Sequence, residues 1–128
     1  MKKLFNRSPE KGIELIVQEA GKTRRYLLDN GDRWLLGRET PENKPDIPLK
    51  SEIAGRRHGE FLRISDQLFF VDRGSINGTF YNGEKLKKGF RGRANLKLLN
   101  DGDVLHIDCG DPNMPDPRCV HIKVRIKN

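Results

Sequence analysis

The sequence predicts an all-β fold, a two-sheet β-sandwich of about ten to eleven short strands with its loops gathered at one end. Three observations point there. The 13 Gly and 7 Pro divide the 128 residues into short pieces, which favours strands and turns over long helices. Apolar and polar residues alternate with the two-residue period of a half-buried strand, and no segment has the wider spacing of an amphipathic helix. Tight-turn pairs recur at Asn30-Gly31, Asn77-Gly78 and Asn82-Gly83, dipeptides that tolerate the positive φ of a hairpin turn.

Residues 1–12 read as a flexible lead, with Ser8-Pro9 as punctuation, and 13–128 as a single domain of ordinary size. Ile13, Leu15 and Val17 alternate with Glu14 and Gln18, although Ile16 breaks the pattern. Gly21-Lys22 turns the chain into a second strand from Thr23 to Leu28. Arg33 to Gly37 follows, with Trp34 and Leu36 expected in the core. After the polar loop Glu39 to Pro45 comes the short segment Asp46 to Leu49. His58 to Ile64 and Leu68 to Val71 pair as a hairpin turned at Ser65-Asp66-Gln67. Asn100 to Asp103 turns into the strand Val104 to Cys109. The last strand is the clearest: Val120, Ile122, Val124 and Ile126 alternate with His121, Lys123, Arg125 and Lys127.

Charge and composition exclude several roles. With 25 basic and 18 acidic residues the net charge is +7, which suits anionic partners. Much of the excess lies between Glu84 and Lys97 and reads as a solvated basic loop. Phe90 is the one aromatic there for base stacking, so nucleic acid is not an expected partner. No apolar run approaches the roughly 18 residues of a membrane span, and no secretory signal follows the basic Met1-Lys2-Lys3. A cytoplasmic, monomeric protein is expected. Cys109 and Cys119 are expected as buried free thiols, although a hairpin between them would bring the sulfurs close. They lack the spacing of a metal site. Gly21-Lys22-Thr23 has no Gly five positions before Gly21 and so is not a phosphate-binding loop. The stretch Asp101 to Asp116 lacks EF-hand spacing.

Chemistry concentrates in an ordered set of motifs. These are Leu36-Gly37-Arg38, Asp46-Ile47, Gly55-Arg56-Arg57-His58, Gly74-Ser75-Ile76-Asn77-Gly78-Thr79, Asn82-Gly83, and Leu99 to Asp103. An arginine offers a planar fork of donors that pairs two phosphate oxygens and stays charged at any relevant pH. An asparagine amide supplies an acceptor and donors that can hold a peptide backbone. Each motif alone is common: on residue type alone Arg38 reads as a surface residue paired with Glu39 or Asp46, and Asn77 as a residue that stabilises its own turn.

In this order, from about Ile13 to Ile126, the motifs resemble the forkhead-associated (FHA) domain family. The resemblance implies an FHA-like sandwich with ligand loops at one end. It implies a phosphothreonine-reading interaction module in kinase-linked signalling, with no catalysis, cofactor, metal or small-molecule substrate. Arg38, with Gly55, Arg56 and Arg57, would bind phosphate. Asn77, with Ile76, would hold the peptide backbone. Gly37, His58, Ser75, Gly78 and Thr79 would be structural within the site, His58 bracing the loop. The partner would be a protein or peptide carrying phosphothreonine.

There is one departure. The family usually places a phosphate-binding serine at the position of Gly55. Loss of a hydrogen bond to a charged group, about 1.5–3 kcal/mol, weakens binding roughly 10- to 150-fold. A free Gly55 amide and the charges of Arg56 and Arg57 are expected to offset part of this. A rival expectation keeps the fold as a phosphate-independent scaffold. A third assigns nucleic-acid or acidic-membrane binding to the Glu84–Lys97 segment.

Overall fold

Strand period and turn chemistry set the architecture. The computed structural model describes residues 12–88, 95–107 and 118–127, and these form eleven strands in two sheets. In chain order they are β1 (Gly12–Glu19), β2 (Lys22–Leu27), β3 (Arg33–Arg38), β4 (Ile47–Leu49), β5 (Gly59–Ile64) and β6 (Gln67–Asp72). β7 (Thr79–Tyr81), β8 (Glu84–Lys85), β9 (Lys97–Leu99), β10 (Val104–Ile107) and β11 (Val120–Lys127) follow. One sheet has the order β9-β6-β5-β3-β4, the other β2-β1-β11-β10-β7-β8. Pairing is antiparallel throughout except for β3 and β4. The all-β sandwich expected from the sequence is what the chain forms.

The expected lead lies outside the described residues up to 11, and Gly12 already belongs to β1. The β1–β2 turn uses Ala20 and Gly21, with φ of 52° and 72°. The β5–β6 hairpin turns on Ser65 and Asp66, φ 51° and 65°, so Gln67 falls within β6 rather than in the turn. Paired positive φ values give the local twist that matches the strands they join.

Alternation fills the core from both sheets. Ile13, Leu15 and Val17 of β1 meet Val120, Ile122 and Val124 of β11 on the inner face. From the other sheet, Trp34, Leu36, Phe61 and Phe70 face them. Phe61 and Phe70 pack with ring centroids 4.9 Å apart. Each fully buried side chain of this kind contributes roughly 1.5–3 kcal/mol. Ile16, which broke the period, is half-buried on the outer face, where alternation places it.

The free-thiol expectation is corrected: Cys119 is disulfide-bonded. The physical reason is the antiparallel pairing of β10 with β11, whose last pair, Ile107 with Val120, adjoins Cys119. Cys109 lies outside the described residues, as do 89–94 of the basic segment. Among the described residues no helix is long and apolar enough to cross a membrane.

Candidate functional site

The end of β3 is pressed against the connection between β4 and β5. A Cβ on Gly37 would stand 1.9 Å from the carbonyl oxygen of Arg56, so only glycine permits this approach. The Arg38 amide donates to the Gly55 carbonyl (2.8 Å), and the His58 amide to that of Leu36 (3.0 Å). Asn43 Nδ2 donates to the carbonyls of both Arg38 (2.8 Å) and Arg56 (2.9 Å), tying strand to loop. Sequence reasoning missed Asn43, because nothing local distinguishes it within a polar loop.

The Arg38 guanidinium does not pair with the carboxylates beside it. Glu39 is engaged by Lys50 (2.7 Å) and Lys44 (3.9 Å), and Asp46 accepts the Leu35 amide (2.8 Å). Arg38 Nη1 donates to the Glu52 carbonyl at 3.3 Å, and Nε is buried with no hydrogen-bond partner. Arg56 and Arg57 are exposed beside it.

Beneath this loop runs a buried hydrogen-bonded chain. His58 is fully buried. Its Nδ1 accepts the Gly55 amide (3.0 Å), which leaves the ring proton on Nε2, 2.8 Å from Thr79 Oγ1. The Thr79 hydroxyl therefore accepts from His58 and donates to Asp72 Oδ2 (2.7 Å). Asp72 also accepts the amides of Gly74 and Ser75 (2.8 Å each) and the Ser75 hydroxyl (2.6 Å). Ser75 Oγ in turn accepts the Gly78 amide (3.1 Å). Burial lowers the His58 pKa; the charge of Asp72 and the Gly78 backbone oppose this without overturning it. For Asp72, burial raises the pKa, but hydrogen bonds from Ser75 and Thr79 outweigh it and the carboxyl stays below its ordinary range.

One expectation fails here. The Gly55 amide is not free for an anion, because His58 Nδ1 already takes it. Gly55 does not adopt the left-handed φ of an anion-binding nest either. Asp72, the hub of the network, was not singled out from the sequence. Its signal was an Asp just before Gly74-Ser75, able to accept backbone amides two and three residues on.

The β6–β7 connection presents Asn77 at the surface, its Nδ2 donating to the Ile53 carbonyl (2.8 Å). Neighbouring Ile76 is 92% exposed. Arg38 and Asn77 are thus held by consecutive carbonyls, those of Glu52 and Ile53. The start of that segment is braced by the buried carboxylate of Glu19, which accepts the amides of Lys50 (2.8 Å) and Ser51 (3.0 Å) and pairs with Arg24. The arrangement offers cations and a surface amide, while the hydroxyls of Ser75 and Thr79 are committed within the network. Among the described residues no cluster of His, Cys, Asp and Glu could hold a metal ion.

Comparison with known proteins agrees with this architecture. The chain is 39% identical over 83 residues to the oxoglutarate dehydrogenase inhibitor of Corynebacterium jeikeium, covering 60% of this chain and 51% of that protein. It is 33% identical over 106 residues to the inhibitor of the same name from Corynebacterium diphtheriae, covering 78% and 63%. The chain thus spans about half to 63% of the length of these curated relatives. Among solved structures, the N-terminal FHA domain of S. cerevisiae Rad53p, in complex with a phosphothreonine peptide, superposes with a TM-score of 0.69 at 20% identity, covering 91% and 94% of the two chains. Yeast Pml1p gives a TM-score of 0.71 at 22% identity, covering 91% and 82%. These likenesses concern the fold. A model of the FHA domain matches residues 34–108, from the core tryptophan of β3 to the end of β10, and the chain belongs to the FHA domain family.

Proposed function

We propose that this protein is a non-catalytic regulatory module that binds a partner protein through a phosphothreonine. The observation that carries the reading is the state of Arg38. Its guanidinium is anchored to the Glu52 carbonyl, its Nε is buried without a partner, and the nearby carboxylates are occupied elsewhere. A buried donor left unmatched is destabilising unless a ligand completes it. Arg56 and Arg57 flank it with charge, and Asn77, exposed on the β6–β7 connection, would hold the backbone of a bound peptide. Relatives named as inhibitors of oxoglutarate dehydrogenase support a regulatory binding role and make a component of that enzyme the first partner to test.

A second reading has its own support. Gly55 contributes neither a hydroxyl nor a free amide, which favours a partner held largely without phosphate. Calorimetric titration with one peptide carrying phosphothreonine, phosphoserine or threonine separates the two. Phosphate reading requires a preference for the phosphorylated forms that Arg38→Ala removes. Equal affinity for all three peptides would leave the phosphate-independent scaffold.

A further inference from the structure

We propose that the outer face of the six-stranded sheet is a docking surface for an acidic protein segment. Register places the relevant side chains together. Across one row, Lys85, Phe80, His106 and His121 are cross-strand neighbours on β8, β7, β10 and β11. Further along the same face of β11 come Lys123, Arg125 and Lys127, all exposed. On β1 and β2 the face continues with Ile16 beside Lys123 and Glu14 beside Arg125. Among the described strand residues of this face Glu14 is the one acid, and it is paired with Arg25 at 3.3 Å; at the strand end the Asp101 carboxylate accepts the Ile126 amide (2.8 Å).

Two features make this more than a share of the net charge. Lys85, Lys123, Arg125 and Lys127 form no ion pair among the described residues. The opposite outer face differs in kind. There Leu62, Phe69 and Leu98 line up across three strands, and Glu60 neutralises both Arg33 and Arg73. Three cations without an ion pair spaced along β11, with Lys85 on β8 at the sheet edge, set up a field complementary to a carboxylate-rich surface.

The rings decide between a polypeptide and a nucleic acid. Phe80 and His106 stack nearly parallel, centroids 5.3 Å apart and planes within 6°, and His106 follows to His121 at 5.6 Å. Their faces are turned to one another, so the row offers no series of open faces for bases. Aromatic edges carry the positive end of the ring quadrupole, which suits carboxylates. The series of rings begins at Phe80, next to Thr79 of the buried network, so the face adjoins the loop end. The proposal does not depend on phosphate recognition.

The test is an NMR titration of the isotope-labelled chain at about 150 mM salt, where surface charges are screened beyond roughly 8 Å. The probes are a short alternating Glu/Asp peptide, an oligothymidylate of equal charge, and phosphatidylserine–phosphatidylcholine vesicles. The acidic peptide should shift amides of β7, β10 and β11. The combined Lys123→Glu, Arg125→Glu and Lys127→Glu variant should weaken it at least about tenfold, and the milder Lys→Gln and Arg→Gln set should weaken it less. Arg33→Glu on the other sheet should leave it unchanged. The proposal is overturned if the peptide does not bind, if shifts fall only on the Arg38–Arg57 end, if the β11 variants bind as before, or if the oligothymidylate or vesicles bind more tightly.

Discussion

The amide of Gly55 donates to Nδ1 of His58 at 3.0 Å. One hydrogen bond thereby fixes the histidine tautomer and shapes the loop, and it withdraws the donor that would otherwise face an anion. What the loop lacks is a side chain, and there is room for one. A Cβ at position 55 would meet His58 Cα at 3.5 Å and Nδ1 at 3.7 Å, ordinary contact distances, with no left-handed φ to resist it.

Gly55→Ser is therefore expected to fold normally and to gain affinity for a phosphothreonine peptide. A hydroxyl donating to a charged oxygen is worth about 1.5–3 kcal/mol, roughly tenfold or more in Kd. Calorimetry with phosphorylated and plain peptide checks it; the plain peptide should not respond. An unchanged Kd for the phosphorylated peptide would mean that phosphate does not sit against residue 55.

Arg38→Ala should reduce phosphopeptide affinity at least about tenfold, and Arg38→Lys should restore little, because an ammonium cannot reproduce the planar fork. Thermal stability should barely move. The guanidinium makes a single 3.3 Å hydrogen bond, and the contact that holds the strand to the loop is the Arg38 backbone amide. A large drop in Tm would reassign Arg38 to a structural role.

Stability should fall as pH drops, in two stages. The folded-state pKa of His58 lies below its ordinary value, chiefly through burial. The unfolded chain then takes up a proton first, near pH ~6.5. The contribution of neutral His58 is complete above that pH and is lost as pH falls toward the folded-state pKa. Asp72 adds a second stage. Its carboxyl is held down by Ser75 and Thr79 against the opposing effect of burial, so its contribution fades only below about pH 4. Urea unfolding across pH, with NMR titration of the His58 ring, checks both. A His58 that titrates above its ordinary value would reverse the first stage.

The parts of the fold that were legible in the sequence are those where local period and burial agree. β1 and β11 alternate over eight residues each and pair along their length. β7, β8 and β9 have three, two and three residues, too few to display a period, and they exist because neighbouring strands hold them. The site divides in the same way. Arg38, His58 and Asn77 stood out through their motifs. Asn43 and Glu19 act on residues brought near by the fold, across 13 positions for Asn43 to Arg56 and 32 for Glu19 to Ser51, and no local signal encodes such partners, whereas Asp72 accepts from Gly74 and Ser75, two and three residues on. The Gly55 amide is the sharpest instance: its residue type left it free, and only the placed histidine ring shows it taken.

Gly37 gives the most direct test of how strand and loop are coupled. Its backbone needs no left-handed φ, so the requirement for glycine is purely one of space. A methyl there would lie 1.9 Å from the Arg56 oxygen, 2.7 Å from its carbonyl carbon and 3.2 Å from the Gly55 oxygen. All three are backbone atoms, so no side-chain rotation relieves the overlap. Gly37→Ala must push the Gly55–Arg57 segment away from β3, weakening the hydrogen bond from the Arg38 amide to the Gly55 carbonyl and the double clamp of Asn43. Overpacking of this kind destabilises by about 1–3 kcal/mol. Gly12→Ala, with nothing within 4 Å of its Cβ and no positive φ, is the matched control. The expected result is a lower denaturant midpoint and weaker phosphopeptide binding for Gly37→Ala, with neither change in the control. Reduced stability with intact binding would show that the loop reaches its ligand without being held against Arg38.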